Sequence, residues 1–185
     1  MTLDDGHANA AKIREQADVL ISQADCDAAT ARVAREITAK LGGDMPLVLA
    51  VMGGATVFVG QLLPQLDFPL EFDYVHVSRY GDKLSGGKLH WKVEPKESVQ
   101  GRTVLVLDDI LDEGETMAAI RERVLAMGAA KFYSAVFCEK LINKPKPIKP
   151  DFLGVTVPDR YVFGYGMDVS GLWRNLPAVY ALKGS

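Results

Sequence analysis

The chain has 185 residues, 48% hydrophobic and 24% charged, which suits one globular domain with a full core. Its formal net charge of -3 leaves no electrostatic footprint for nucleic acid or an anionic membrane, so any anionic substrate must be held by local geometry. The two cysteines, Cys26 and Cys138, show neither disulfide-framework nor zinc spacing, and the polar N-terminal stretch lacks a signal-peptide core. Reduced thiols in a cytoplasmic protein are expected.

From about Ala8 to Gln23 apolar residues recur at helical spacing. A second helix, capped by Asp25 or Asp27, is expected through Ala31, Val33, Ile37 and Leu41 to a stop at Gly42-Gly43. Pro46 to Met52 is a continuous apolar run, a buried strand ended by Gly53-Gly54, with a helix from about Thr56 to Leu66 behind it. Leu70 to Arg79 alternates as a strand with one wetter face, and Leu89 to Val93 reads as its returning partner. Between them Tyr80 to Lys88, with three glycines, forms the tip of a long hairpin.

The organising stretch is Thr103 to Thr116, TVLVLDDILDEGET. Val104 to Leu107 fits a strand covered on both faces, Asp108, Asp109 and Asp112 an acidic loop, and a helix follows Gly114 through Ala118, Ile120, Val124 and Leu125. Lys131 to Cys138 is a further strand. Asn143 to Pro150, with three prolines, reads as a linker or hinge whose Lys144, Lys146 and Lys149 are solvated. Short strands are expected at Phe152 to Val157, Tyr161 to Gly164 and Ala178 to Leu182. The alternation of strands and helices gives an α/β fold with a mainly parallel sheet, whose ligands bind at the carboxyl ends of the strands.

A loop entering a helix presents free backbone N–H groups and the positive end of the helix dipole, so the stretch around Gly114 and Thr116 suits a phosphate. Acids upstream then serve another part of the ligand, as hydroxyl acceptors or magnesium partners, and a sugar phosphate satisfies both halves. Adjacent strand residues point to opposite faces, so from a regular strand only one of Asp108 and Asp109 aims at a given ligand. No GxGxxG or GxxxxGK[ST] motif is present. His7, His76 and His90 are scattered, and Cys138 reads as packing.

The order of aliphatic strand, two acids, aliphatic pair, acid, glycine and threonine resembles the phosphoribosyl pyrophosphate motif of type I phosphoribosyltransferases. With Met52-Gly53-Gly54, Ser78-Arg79-Tyr80, Lys140, PDFLGVTVPDRYVFGYGMD from Pro150 to Asp168, and Arg174, the chain is similar from about residue 10 onward to 6-oxopurine (hypoxanthine-guanine) phosphoribosyltransferases. The resemblance implies a core at 43–150 that binds ribose and phosphates, and a small hood from 1–42 and 151–185 over the base. It implies that Asp108 and Asp109 take the ribose hydroxyls and partner Mg2+, and that Asp112 is the general acid/base at purine N7. Backbone amides of Glu113, Gly114, Glu115 and Thr116 would hold the 5-phosphate. Met52, Gly53 and Gly54 would meet pyrophosphate, with a cis peptide between Met52 and Gly53.

By the same resemblance Lys140 donates to purine O6, Tyr161 stacks on the base, and the Val162 backbone meets the purine edge. Asp168 binds magnesium and Arg174 pyrophosphate, while Ser78 and Arg79 open a lid running to Lys88. The chain departs from the family where Glu113 and Glu115 replace a common threonine and lysine, and where Ala55 replaces a glycine. The two glutamates are expected to turn outward from the phosphate. The implied activity is purine salvage, converting hypoxanthine or guanine and phosphoribosyl pyrophosphate to IMP or GMP in a homo-oligomer, dimer or tetramer. Two alternatives are an RNA-binding regulator on the same fold, which the charge disfavours, and a transferase specific for xanthine or a pyrimidine.

Overall fold

The computed structural model describes residues 10–79, 89–96 and 99–184. Helical spacing at the N-terminus persists only through residue 15, and Asp18–Ile21 is a strand, β1, instead of the second half of a helix. The next helix, α1, spans Gln23–Leu41 and is capped by Ser22, not by Asp25 or Asp27: Ser22 Oγ accepts from Asp25 N–H at 3.2 Å. Gly42 ends it, as expected.

Six strands then build the main sheet: β2 (Leu47–Met52), β3 (Glu71–Arg79), β4 (Leu89–Val93), β5 (Thr103–Leu111), β6 (Lys131–Leu141) and β7 (Phe152–Pro158). Their order is β4-β3-β2-β5-β6-β7, with every pairing parallel except β3 with β4. Between them lie α2 (Thr56–Leu62), which passes at Pro64 into a 3-10 turn rather than running to Leu66, and α3 (Glu115–Ala126).

The continuous apolar runs arise because the sheet is covered on both faces. Val48, Ala50, Leu105, Leu107, Ala135 and Phe137 pack with residues of α1 and α2, including Val33, Ile37 and Phe58. Their sequence neighbours Leu47, Leu49, Val51, Val104, Val106 and Val136 pack with Met117, Ile120 and Val124 of α3. A second, three-stranded sheet joins distant parts of the chain: β1 pairs antiparallel with β9 (Val179–Ala181), which pairs with β8 (Val162–Phe163). Arg160 ties this second sheet together, its guanidinium reaching Asp18 Oδ2 at 2.7 Å and Leu182 O at 2.6 Å.

Three expectations change. β5 runs through Asp108 and Asp109 to Leu111, so the acids sit inside the strand and not in a loop after it. β6 continues to Leu141, which places Lys140 within the ladder opposite Val157 instead of beyond the strand end. The proline segment is no free hinge: Ile148 packs against the core, and the Lys146 side chain is only 9% exposed. Tyr80, the remainder of the hairpin tip and His7 lie outside the described residues.

Candidate active site at the carboxyl ends of the parallel strands

β5 brings two acids into the interior. Asp108 and Asp109 retain 8% and 9% exposure and follow each other inside β5. Asp109 N–H donates to Asp108 Oδ1 and Ile110 N–H to Asp109 Oδ1, both at 2.9 Å. Burial pushes both carboxyls above their ordinary value of 3.8, Asp108 further because the Asp109 charge lies beside it.

A stability consequence follows from the sign of that shift. A carboxyl raised above 3.8 in the folded state gives full stability below that value and loses it as pH rises through the folded range. Asp108→Asn is therefore expected to raise Tm at about pH 7.5 relative to the unaltered chain and to give no such gain near pH 4. Thermal melts at the two pH values check it, and equal shifts at both would remove the electrostatic explanation.

Asp109 lies beside Gly54 and Gly166, two glycines from distant parts of the chain. A Cβ added to Gly54 would strike its carboxylate, and one added to Gly166, at φ 103°, would strike the Gly54 carbonyl. Only glycine allows this approach of two backbones and an acid. Gly166 O accepts from Arg174 Nη1 at 2.7 Å, and Arg174 Nη2 pairs with Asp168 Oδ1 at 2.6 Å. Asp168 Oδ2 accepts from Gly171 N–H at 2.7 Å, and the Tyr161 hydroxyl donates to Asp168 O at 3.3 Å. Val162 is buried in the second sheet one residue further on.

On the other side of β5, Lys140 Nζ meets Asp112 Oδ2 at 2.7 Å; the lysine side chain is 13% exposed and the aspartate 49%. Gly114, at φ 83°, caps α3, whose first turn holds Glu115 and Thr116 and whose opening N–H groups lack intrahelical acceptors by construction. Glu113 and Glu115 are exposed and border a depression of about 520 Å³ shared with Ile142, Lys144, Pro145, Lys146 and Pro147. Glu113 lies 3.9 Å from Lys144. The Met52–Gly53 peptide is cis, and Thr56 Oγ1 donates to Gly53 O at 2.8 Å. Ala55 is fully buried, its methyl part of the core. Ser78 Oγ is buried with no hydrogen-bond partner among the described residues, and Arg79 ends β3.

Residues 19–170 match the sequence profile of the phosphoribosyl transferase domain. The chain belongs to that family. The chain is 33% identical over 166 residues to a hypoxanthine-guanine phosphoribosyltransferase of Bacillus subtilis, covering 89% of this chain and 92% of that protein. It is 36% identical over 168 residues to a hypoxanthine-guanine-xanthine phosphoribosyltransferase of Tritrichomonas foetus, covering 90% and 92%. A bifunctional TilS/HprT protein of Listeria innocua is 35% identical over 166 residues, 89% of this chain but only 26% of that protein's length. Among solved structures, a hypoxanthine phosphoribosyltransferase from Staphylococcus aureus superposes with a TM-score of 0.86 at 25% identity, covering 92% of this chain and 94% of the other.

Two residues packed beside the candidate site escape sequence reasoning. Gly166 lies within the Pro150 to Asp168 stretch but carries no assigned part there, because its close approach is to Gly54, more than a hundred positions away. Lys146 carries no sequence signal, because a lysine among prolines has the composition of a solvated loop. Cys26 and Cys138 are free and buried, with burial pushing Cys26 up to about 11 and Cys138 well above its ordinary value, so neither is a nucleophile.

Proposed function

We propose that the chain is a magnesium-dependent purine salvage transferase, joining hypoxanthine or guanine through N9 to C1 of phosphoribosyl pyrophosphate and releasing pyrophosphate. The observation that carries this reading is the Asp112–Lys140 pair at 2.7 Å beside the Gly114 start of α3. A 6-oxopurine inserted between the two accepts at O6 from Lys140 and presents N7 to Asp112, which takes its proton as the N9–C1 bond forms and the C1–pyrophosphate bond breaks. Adenine has an amino group at position 6 and leaves the lysine without an acceptor.

Asp108 and Asp109 accept from the ribose hydroxyls, and the amides of Glu113, Gly114, Glu115 and Thr116, with the Thr116 hydroxyl, hold the 5-phosphate. Exposure of both glutamates supports a nest built from backbone donors. Tyr161 stacks on the base and the Val162 backbone meets its edge. Met52, Gly53, Gly54 and Arg174 meet pyrophosphate, and Ser78 and Arg79 anchor the lid that excludes water. The donor set fits magnesium in its chemistry, since carboxylate oxygens of Asp residues at the strand ends are hard donors and Mg2+ takes such oxygens together with substrate phosphates. Asp168, with Asp108 and Asp109 on the ribose side, would hold it, and when bound it supplies positive charge to the leaving pyrophosphate.

The names of the relatives favour salvage over an RNA-binding or pyrimidine role. The test is product formation from phosphoribosyl pyrophosphate and Mg2+ with hypoxanthine, guanine, xanthine and uracil. Turnover with hypoxanthine or guanine is expected, and none with any purine would overturn the reading. It extends to a cytoplasmic homo-oligomer, dimer or tetramer. No helix among the described residues is long and apolar enough to cross a membrane, both cysteines are free, and Phe72 and Tyr74 stand exposed two apart on β3.

A further inference from the structure

Lys146 stands in a Lys-Pro-Lys-Pro sequence, yet its ammonium is inside the protein. It donates to Lys140 O at 2.6 Å, Leu111 O at 3.0 Å and Glu139 Oε1 at 3.2 Å. A lysine has three N–H donors, and each meets an acceptor here. Two of these acceptors are backbone carbonyls at the ends of β5 and β6. Leu111 immediately precedes Asp112, and Lys140 carries the amine that meets Asp112.

The β5–β6 ladder ends at Leu111 opposite Glu139, so beyond it nothing in the sheet fixes the separation of the two strands. The ammonium bridges them at that point. Pro145 and Pro147 restrict the backbone on both sides, and Ile148 packs the segment against the core. We propose that Lys146 is a positioning residue: by clamping the Leu111 and Lys140 carbonyls it sets the spacing of Asp112 and Lys140, and through them the affinity for the base. This rests on the transferase reading above, in which that pair receives the purine.

Lys146→Met keeps the length of the stem and removes the donors. It is expected to raise KM for hypoxanthine about tenfold while leaving KM for phosphoribosyl pyrophosphate within about twofold. The double variant Lys146→Met/Glu139→Leu removes the acid otherwise left without its ammonium, and decides the matter if the single variant does not fold. Glu139→Gln alone keeps both carbonyl bonds and is expected to retain the unaltered KM for hypoxanthine. A purely structural role would lower Tm and the active fraction without splitting the two KM values. An unchanged KM for the base in the folded variant, an equal rise in both KM values, or the same loss in Glu139→Gln would overturn the proposal. Absence of turnover in the unaltered chain would instead remove the transferase reading beneath it.

Discussion

Asp112→Asn is expected to lower kcat with hypoxanthine by about 10² to 10⁴-fold while KM for phosphoribosyl pyrophosphate stays within about threefold. Asparagine matches aspartate in shape and can still accept from Lys140 Nζ, now 2.7 Å from the carboxylate, so the local fold is kept. What it loses is the capacity to take a proton from the purine. The residue emerges from the end of β5 with its side chain half exposed, so its replacement leaves no buried group without a partner. Steady-state kinetics with each substrate varied separately measure the split. Equal losses in turnover and in sugar-phosphate affinity would sink the acid/base role.

Gly54→Ala is the second large effect. The added methyl has no open direction: it falls on the Asp109 carboxylate, which must rotate out of its buried place or the β2–α2 loop must shift. If the carboxylate gives way, a charge-assisted bond to a ribose hydroxyl is lost, roughly 1.5–3 kcal/mol. KM for phosphoribosyl pyrophosphate is then expected to rise by about 10- to 100-fold, with the base KM little changed. Gly60→Ala is the matching control, since a Cβ there meets nothing within 4 Å and the site is helical. It is expected to be neutral or to stabilise by about 0.5–1 kcal/mol. Substrate-dependent kinetics on both variants, with melts to verify folding, separate loop geometry from general damage.

The central sheet was legible because its information is local. Leu47 to Met52 and Val104 to Leu107 are apolar without alternation, and such runs suit a sheet covered on both faces. What failed depended on partners far away. Asp18–Ile21 carries apolar residues compatible with a helix turn, and only pairing with Val179–Ala181 decides for strand. The acids at 108 and 109 continue β5 because β6 runs alongside, with Asp108 opposite Val136, against their own weak strand preference. The cap at Ser22 was available locally in Ser-Gln-Ala-Asp, where the hydroxyl accepts from the Asp25 amide. The site residues were named by resemblance, and their contacts came only with the fold. That Arg174 pairs with Asp168, or that Lys146 reaches Leu111, is a property of strand ends brought together in space.

The three-stranded sheet has a temporal consequence. Among the described residues β1 has β9 as its sheet neighbour, and Asp18 lies opposite Ala181, nearly the whole chain away. Closing so long a loop costs more entropy than forming the nearby β2–β5–β6 pairings, so the three-stranded sheet is expected to assemble after the main sheet. The same asymmetry operates in the finished molecule. Opening that sheet breaks only a few backbone bonds and leaves β5 intact, so amide hydrogens at Ile21 and Val179 exchange with solvent by a shallower route than those of Leu105 or Leu107. On the transferase reading proposed above, a bound purine is expected to draw both remote segments into the protected body together, with slower exchange at two places so distant in sequence as its signature.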